Sequence, residues 1–188
     1  MEMIWQGIVE AVRLLASGDP EVMKITIFSL KISGLATIIS LLIGMPFGTV
    51  LALGKFPTRK FWMSLVNTGM GLPPVVVGLV VSIMLWRSGP LGSLRLMYTP
   101  TAIIIAQTII AAPVVTGLTA ASLQQLDPRY QQQLLGLGAT RWQVIWALWR
   151  EARLPLLAAL MAGFGSVISE VGASMMVGGN LKNYTRVL

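Results

Sequence analysis

Long, nearly uncharged apolar stretches constrain this chain more than any other feature, because each is long enough to cross a lipid bilayer. A membrane-spanning helix needs about 20 mostly apolar residues, since the hydrocarbon core is ~30 Å thick and an α-helix rises ~1.5 Å per residue. Four stretches meet this requirement, at about 24–54, 61–86, 97–126 and 154–178. The chain is therefore predicted to be an all-α integral membrane protein, with a polytopic helical bundle over residues 19–188.

The composition supports the membrane class and removes most of the chemistry that soluble enzymes use. Hydrophobic residues make up 55% of the chain and charged residues only 11%, whereas about a quarter of the residues in soluble domains are charged. The chain contains no Cys and no His, which excludes thiolate and imidazole metal sites, cysteine nucleophiles and catalytic triads with a His base. We predict that the chain is not an enzyme, has no metal site and binds no cofactor itself.

The distribution of basic residues predicts how the chain is oriented in the membrane. The net charge is +7, and orientation bias and anionic lipid headgroups explain basic residues between apolar stretches better than nucleic-acid binding does. The first and third connections carry seven of them: Lys55, Arg59, Lys60, Arg129, Arg141, Arg150 and Arg153. The second connection and the tail carry four: Arg87, Arg95, Lys182 and Arg186. This difference predicts that the first and third connections are cytoplasmic and that the N-terminus is outside.

Residues 1–18 are predicted to form an amphipathic helix at the bilayer surface. The apolar residues that recur there at helical spacing are Ile4, Ile8, Val12 and Leu15. A helix-breaking segment from Ser17 to Pro20 follows them. An accessory helix packed against the bundle is the alternative interpretation.

Small residues and prolines within the spans favour a pathway through the bundle over a simple membrane anchor. Small-residue faces let helices approach closely in lipid, and two are predicted, at Gly44, Gly48 and Ala52, and at Ala158, Ala162 and Ser166. Prolines leave backbone carbonyls that neighbouring helices or a water-filled path can satisfy. The residues predicted to line a pathway or gate are Leu72, Pro73, Pro74, Gly78, Ala112, Pro113 and Glu170. Helix bending for packing is the alternative role for the prolines.

Glu170 is the single charged residue of the fourth apolar stretch. A carboxylate in lipid is costly, so we expect Glu170 to face the bundle and to have a partner. The carboxylate would repel an anion, which argues against its being a ligand for an anionic substrate. A structural or gating pair with Lys31, or a protonated carboxyl group, is predicted instead.

The third connection, residues 127–153, has the pattern of two short helices joined at a glycine. Asp127 precedes Pro128 as a helix N-cap, and Gly136 or Gly138 is expected to end the first helix. Thr140 and Gln143 fit a capping box that begins the second helix. The tryptophans of this second helix, predicted to share one face, are Trp142, Trp146 and Trp149. This segment is either an interfacial helix with Trp in the headgroup region or a docking element for a cytoplasmic partner.

This connection resembles the cytoplasmic loop of ABC importer permeases, which carries a Glu-Ala-Ala segment, then Gly, then Leu-Pro. In LLGLGATRWQVIWALWREARLPLL, Gly138 falls on the motif glycine and Leu154-Pro155 on the closing Leu-Pro. Gln132-Gln133-Leu134 stands at the Glu-Ala-Ala positions, and the Leu-Pro lies about one helical turn later than usual. The resemblance implies that an ATPase couples to the chain through Gln132, Gly138, Ala139, Thr140, Arg141 and Trp142.

Three further segments are similar to the molybdate and tungstate importer permeases. GLPPVVVGLVVSIMLWRSGPLG is similar to their proline-broken second span, and AAPVVTGLTAASLQQLDPRY to their approach to the coupling loop. SEVGASMMVGGNLKNYTRVL is similar to the end of their fourth span, and Val171 resembles the tungstate branch more closely. Members of this family continue into a further span, so a fifth span is expected to be missing after Leu188.

The resemblance implies the permease subunit of an ATP-driven importer in a prokaryotic cytoplasmic membrane. Its pathway would carry an oxyanion, with tungstate preferred and molybdate or sulfate as alternatives. The partners it implies are cytoplasmic ATP-binding subunits that hold ATP and Mg²⁺, an extracytoplasmic oxyanion-binding protein, a second permease copy and membrane lipid. A secondary transporter that uses Glu170 and Lys31, and a scaffold without transport, are the competing hypotheses.

Overall fold

The computed structural model describes Trp5, residues 18–182 and residues 184–187, and these residues form helices and turns with no strand. The helices are α1 (Pro20–Leu53), α2 (Arg59–Gly71), α3 (Pro74–Leu85), α4 (Pro100–Gln124), α5 (Pro128–Gly136), α6 (Arg141–Glu151), α7 (Arg153–Ile168) and α8 (Gly172–Gly178), with a 3₁₀ turn at Gly92–Leu94. The predicted all-α fold is confirmed. The interfacial helix predicted over 1–18 lies outside the described residues, apart from Trp5 and Gly18.

Two helices, α1 and α4, are each long and apolar enough to cross a membrane. Within the described residues the number of candidate spans rises to as many as four if two bent helix pairs each count as one span. The bend between α2 and α3 is 102°, and the bend between α6 and α7 is 74°. The second predicted span is thus a pair of helices joined at a sharp break.

The single helix expected over 154–178 is interrupted, because α7 ends at Ile168 and α8 begins at Gly172. The Glu170 side chain accepts a hydrogen bond from the backbone N–H of Ala173 through its Oε1 atom at 2.7 Å. A side chain that satisfies a free N–H at a helix start favours a new helix over continuation of the old one. Hydropathy does not detect this break, since the flanking residues are all apolar or small.

Helices α1 and α4 pack closely through the first small-residue face predicted from the sequence. A Cβ atom on Gly48 would lie 2.6 Å from the carbonyl oxygen of Thr116, and one on Gly44 would lie 3.1 Å from Val115 Cβ. The hydroxyl of Ser40 donates to the carbonyl of Thr108 across the same interface at 3.2 Å. Close backbone approach in lipid depends on such small residues, so this prediction is confirmed.

The second small-residue face, predicted at Ala158, Ala162 and Ser166, is wrong for the packing of this chain. Ala158 and Ala162 are exposed, whereas Ala159 and Gly163 are buried. A Cβ atom on Gly163 would lie 2.7 Å from Val115 Cγ2 of α4. Successive helical residues are about 100° apart, so the packed face is rotated by one position from the predicted one.

Of the three apolar clusters in the described residues, two join most of the helices. One joins α1, α3, α4, α7 and α8 and contains Ile32, Val81, Leu85, Ile103, Val167 and Val177. The other lies where α6 meets α4 and α7, and contains Leu123, Val144, Leu148, Ala152 and Leu156. The second cluster fixes the segment 127–153 to the bundle, so this connection is part of the folded core and not a loose tether.

Candidate coupling and translocation sites

The segment 127–153 folds as two short helices around a glycine, as the sequence predicts. The Asp127 side chain accepts from the Arg129 N–H at 2.8 Å and so begins α5. After Gly136, the N–H of Ala139 donates to the Leu134 carbonyl at 3.0 Å, and Gly138 between them has a φ of 82°. Residues with a Cβ rarely adopt such a positive φ. Gly138 is therefore the residue that permits the turn between α5 and α6.

The start of α6 is fixed by a capping box. The backbone N–H of Gln143 donates to the Thr140 hydroxyl at 3.4 Å, and the Thr140 N–H donates to Gln143 Oε1 at 2.7 Å. These reciprocal hydrogen bonds satisfy two of the free donors at the helix start. The capping predicted from the Thr140 and Gln143 spacing is confirmed.

The tryptophans of α6 differ in their surroundings. Trp142 and Trp146 are 81% and 68% exposed, whereas Trp149 packs against the cluster that contains Leu148. The indole N–H of Trp149 donates to the hydroxyl of Thr49 in α1 at 2.9 Å. Trp149 therefore ties α6 to the bundle, and its tertiary partner could not be found from sequence spacing alone.

The six residues predicted to couple to an ATPase lie on α5, in the glycine turn and at the start of α6. Ala139 packs against the apolar cluster. The other five are exposed: Gln132, Gly138, Thr140, Arg141 and Trp142. Beside them, residues such as Val50, Leu135 and Val144 line a cavity of about 500 Å³. This exposed surface belongs to an element that contacts α1 through the hydrogen bond between Trp149 and Thr49.

The proline-rich break between α2 and α3 lies in the middle of the second predicted span. Pro73 is extended, with φ −59° and ψ 127°, and Pro74 occupies the first turn of α3. The ring of Pro74 disfavours a helical conformation at the residue before it, and its missing N–H is harmless at a helix start. Leu72 and Pro73 are exposed, and Pro74 is half-buried.

Gly78, predicted to line the pathway, is buried where α3 packs on α8. A Cβ atom on Gly78 would lie 2.6 Å from Ala173 Cα, so the space beside it is filled by the neighbouring backbone. Close by, a Cβ atom on Gly172 would lie 3.0 Å from Val75 Cγ2. In this chain Gly78 permits close packing between two helices and lines no open space.

Pro113 lies inside α4 without ending this helix and packs against α2. A Cβ atom on Gly69 would lie 2.9 Å from Pro113 Cγ, and one on Gly117 would lie 2.5 Å from Met70 Sδ. Ala112 beside it is half-buried. Pro113 therefore belongs to the α2–α4 packing interface, which is the alternative role considered for the prolines.

Glu170 serves as a capping residue and does not pair with Lys31. Within the part of the chain that the structure describes, the partner of its carboxylate is the Ala173 N–H, at 2.7 Å. Lys31 is exposed and forms no ion pair with Glu170. The ion-pair prediction is wrong, because the break in the helix turns the carboxylate toward the start of α8.

Gln107, which the sequence did not single out, bridges this break from α4. Only 3% of its surface is exposed. Its Nε2 donates to the Val167 carbonyl at 3.2 Å and to the Ser174 hydroxyl at 3.3 Å. Because the Val167 carbonyl also accepts from the Glu170 N–H at 3.2 Å, the amide adds a second hydrogen bond at the end of α7. A lone Gln in an apolar stretch is the signal that could have identified it.

A polar stripe on α2, which we define as Lys60, Ser64, Asn67 and Thr68, was also missed. These residues are exposed and border a cavity of about 620 Å³ that Arg59 and Gln124 also line. Their i, i+4, i+7 and i+8 spacing is the signal that could have found the stripe. The stripe was missed because the second predicted span is apolar when its hydropathy is averaged over its whole length.

The two ends of α1 contact different sets of connections. At its N-terminal end, Glu21 lies 3.4 Å from Lys182 Nζ and 3.5 Å from Arg186 in the tail. Near its C-terminal end, the Leu51 carbonyl accepts from Arg59 Nε at 2.6 Å, and Thr49 accepts from Trp149. The first and third connections thus share one end of the bundle, as the charge distribution requires.

Residues 44–186 match the family of binding-protein-dependent transport system inner membrane components. The chain belongs to this family and is a permease component of such a transport system. Its all-helical bundle with candidate membrane spans is the fold expected of an inner-membrane permease.

Among its relatives, the tungstate uptake system permease protein TupB of Peptoclostridium acidaminophilum is 39% identical over all 188 residues and 82% of that protein. A probable anion ABC transporter permease protein of Haloferax volcanii is 38% identical over 88% of this chain and 73% of that protein. The molybdenum transport system permease protein ModB of Escherichia coli K12 is 26% identical over 90% of this chain and 77% of that protein.

A solved structure of an amino acid ABC transporter with histidines shares the fold. It matches with a TM-score of 0.64 over 92% of this chain and 78% of its own chain, at 21% sequence identity. This match confirms the predicted fold class, and the family match and the relatives above confirm the resemblance to ABC importer permeases.

Proposed function

We propose that this chain forms the translocation pathway of an ATP-driven importer that carries tungstate into the cell. The observation that carries the proposal is the 39% identity with a tungstate uptake permease over the whole chain. Molybdenum permeases are more distant, at 26% identity. The preference for tungstate over molybdate and sulfate follows this order of similarity.

The proposed mechanism is alternating access driven from the cytoplasmic side. ATP-binding subunits, which would hold ATP and Mg²⁺, dock on the exposed surface around Gly138, Arg141 and Trp142. Their closure moves α6, and the hydrogen bond between Trp149 and Thr49 passes this movement to α1. Because α1 packs closely on α4, the rest of the bundle moves with it.

The orientation and the other partners follow from the same proposal. The end of the bundle with Lys55, Arg59 and the segment 127–153 lies in the cytoplasm, and the N-terminus lies outside. An extracytoplasmic binding protein delivers the anion to the other end. Two permease copies enclose the pathway, with Leu72, Pro73 and Pro74 at the break where its gate would lie.

The test of the substrate is uptake of labelled tungstate by cells or proteoliposomes that contain the complete transporter. Unlabelled tungstate should compete at lower concentration than molybdate, and sulfate should compete least. Equal competition by molybdate would move the assignment to the molybdenum branch. Failure of tungstate to compete would remove the proposed substrate.

A second candidate, a secondary transporter coupled to ions through Glu170 and Lys31, is disfavoured by one contact. Glu170 caps α8, and Lys31 is exposed without an ion pair to it. Co-purification separates the two functions: an ATPase subunit that binds wild-type permease and is lost when residues 127–153 are altered supports the ATP-driven importer alone.

A further inference from the structure

The polar stripe on α2, formed by Lys60, Ser64, Asn67 and Thr68, has no role in the packing or in the coupling surface described above. Helix α2 belongs to a bent pair that is long and apolar enough to enter a membrane as a broken span or a re-entrant loop. Polar groups that face hydrocarbon are costly, so within a membrane such a stripe must face water or another polar surface. Its position therefore marks one side of α2 as facing neither lipid nor the core of this chain.

The other sides of α2 have clear roles. Val66 is buried against Leu51 of α1 and Ala120 of α4, and Gly69 packs on Pro113. Phe61 and Leu65 are 64% and 51% exposed and provide an apolar outer surface. At about 100° per residue, the four polar residues occupy a separate sector of roughly 100° between these two surfaces.

The stripe runs along α2 from the cytoplasmic end of the bundle toward the proline break. Lys60 lies in the first turn of α2, and Thr68 lies one turn before Leu72. With a rise of ~1.5 Å per residue, the distance along the helix from Lys60 to Leu72 is about 18 Å. The stripe therefore connects the predicted gate with the cytoplasmic end.

The cavity beside the stripe is suited to an anion. It has a volume of about 620 Å³, and no Asp or Glu lines it. Each polar side chain that lines it can donate a hydrogen bond: the ammonium of Lys60, the guanidinium of Arg59, the hydroxyls of Ser64 and Thr68, and the amide groups of Asn67 and Gln124. Hydroxyl and amide donors beside basic groups are the chemistry that binds oxyanions.

These donors are available for a ligand. In the described part of the chain, the side chains of Lys60, Ser64, Asn67 and Thr68 have no hydrogen-bond or ion-pair partner. Arg59 donates from its Nε to the Leu51 carbonyl at 2.6 Å, and this contact holds a residue that lines the cavity. The site is thus anchored to α1 at one corner and open elsewhere.

We propose that the stripe and this cavity form a binding site for a tetrahedral divalent oxyanion on the cytoplasmic half of the pathway, where the anion is held before release. This inference rests on the proposed function, since it places the substrate of that transporter. Gln124 is the last residue of α4 and lies three residues before Asp127. The site therefore adjoins the segment 127–153, so movement of that segment would change the site.

The test uses the complete transporter in proteoliposomes with its binding protein, and measures tungstate taken up per ATP hydrolysed. Asn67→Asp keeps the side-chain shape and adds a negative charge, and Lys60→Gln removes a positive charge. Each should lower the ratio at least about tenfold, the change produced by about 1.4 kcal/mol. Lys55→Gln is the matched control, because Lys55 lies in the same connection but does not line this cavity, and it should leave the ratio unchanged.

The outcomes distinguish this inference from the proposed function. If wild-type transporter moves tungstate and both variants match it, the stripe is no anion site. If Asn67→Asp lowers the amount of permease dimer in cross-linking experiments, the stripe is a contact between two copies and the inference is also wrong. If wild-type transporter moves no tungstate, the proposed substrate fails whatever the variants do.

Discussion

The indole N–H of Trp149 donates a hydrogen bond to the hydroxyl oxygen of Thr49 at 2.9 Å, across 100 residues of sequence. Thr49 in turn donates to the Met45 carbonyl at 2.7 Å within α1. This pair is a direct polar link between α6 and α1. In the proposed mechanism, movement of α6 reaches α1 through the Trp149 indole nitrogen and the Thr49 hydroxyl oxygen.

A double-mutant cycle with Trp149→Phe and Thr49→Val should measure this link. Each single substitution removes one partner and should reduce the free energy of unfolding by about 1–2 kcal/mol, with a coupling of roughly 0.5–1.5 kcal/mol between them. Unfolding in mixed detergent micelles provides the measurement. Trp146→Phe is the control and should be neutral, because Trp146 is 68% exposed. Additive single effects would show that the hydrogen bond contributes nothing.

Gly48→Ala should destabilise the α1–α4 contact by about 1–3 kcal/mol, because the new Cβ would overpack the interface. That atom would lie 2.6 Å from the Thr116 carbonyl oxygen and 2.9 Å from Thr119 Cβ. Gly34→Ala is the matched control in the same helix, where the Cβ position has no atom within 4 Å. Thermal unfolding of the purified permease should show a lower midpoint for the first variant alone. Equal midpoints would contradict the packing.

Gly138→Val should separate ATP hydrolysis from uptake while the protein stays in the membrane. The φ of 82° at Gly138 is unfavourable for a residue with a Cβ by about 1–2 kcal/mol, more for a β-branched one. No neighbouring atom lies within 4 Å of the position that a Cβ would take at Gly138. The strain from the substitution is therefore confined to the backbone of the turn.

Uptake and ATPase activity of the same preparation provide the measurement for this variant. Gly136→Ala, at the last residue of α5, is the control and should retain both activities, since its Cβ position is also open and its φ is not positive. Normal uptake by Gly138→Val would remove this turn from the coupling mechanism.

Glu170→Gln should retain the fold and transport, because the Gln carbonyl oxygen can accept from the Ala173 N–H as the carboxylate does. Glu170→Ala removes the acceptor and should cost about 1 kcal/mol, as the loss of other helix caps does. Thermal stability and uptake should be measured for both variants. Loss of uptake in a stable Glu170→Gln variant would show that the charge itself is required, contrary to a capping role.

The helical and capping features were predictable because they depend on neighbours in sequence. The capping box at Thr140, the cap at Asp127 and the turn at Gly138 each follow from residues within one or two turns. The apolar length of α1 and α4 likewise determines that these helices can span a bilayer. Hydrogen bonds between residues close in sequence form in the same way whatever the distant packing is.

The partners across the bundle were not predictable, because they depend on how each helix is rotated against its neighbours. The rotation of α7 by one residue moved the packed face from Ala158 to Ala159. The same uncertainty made Lys31 a plausible partner for Glu170, whose carboxylate in fact caps α8.

By itself, the sequence determined the membrane class, the helical segments, the caps and the glycine turn of the segment 127–153, since local geometry and apolar length set all of these. Only the tertiary structure decided that Trp149 binds Thr49, that Gly78 is covered by α8 and that the polar stripe of α2 borders an open cavity. Each of these depends on which atoms of a distant helix come within contact distance, and a one-residue rotation of about 100° is enough to change them.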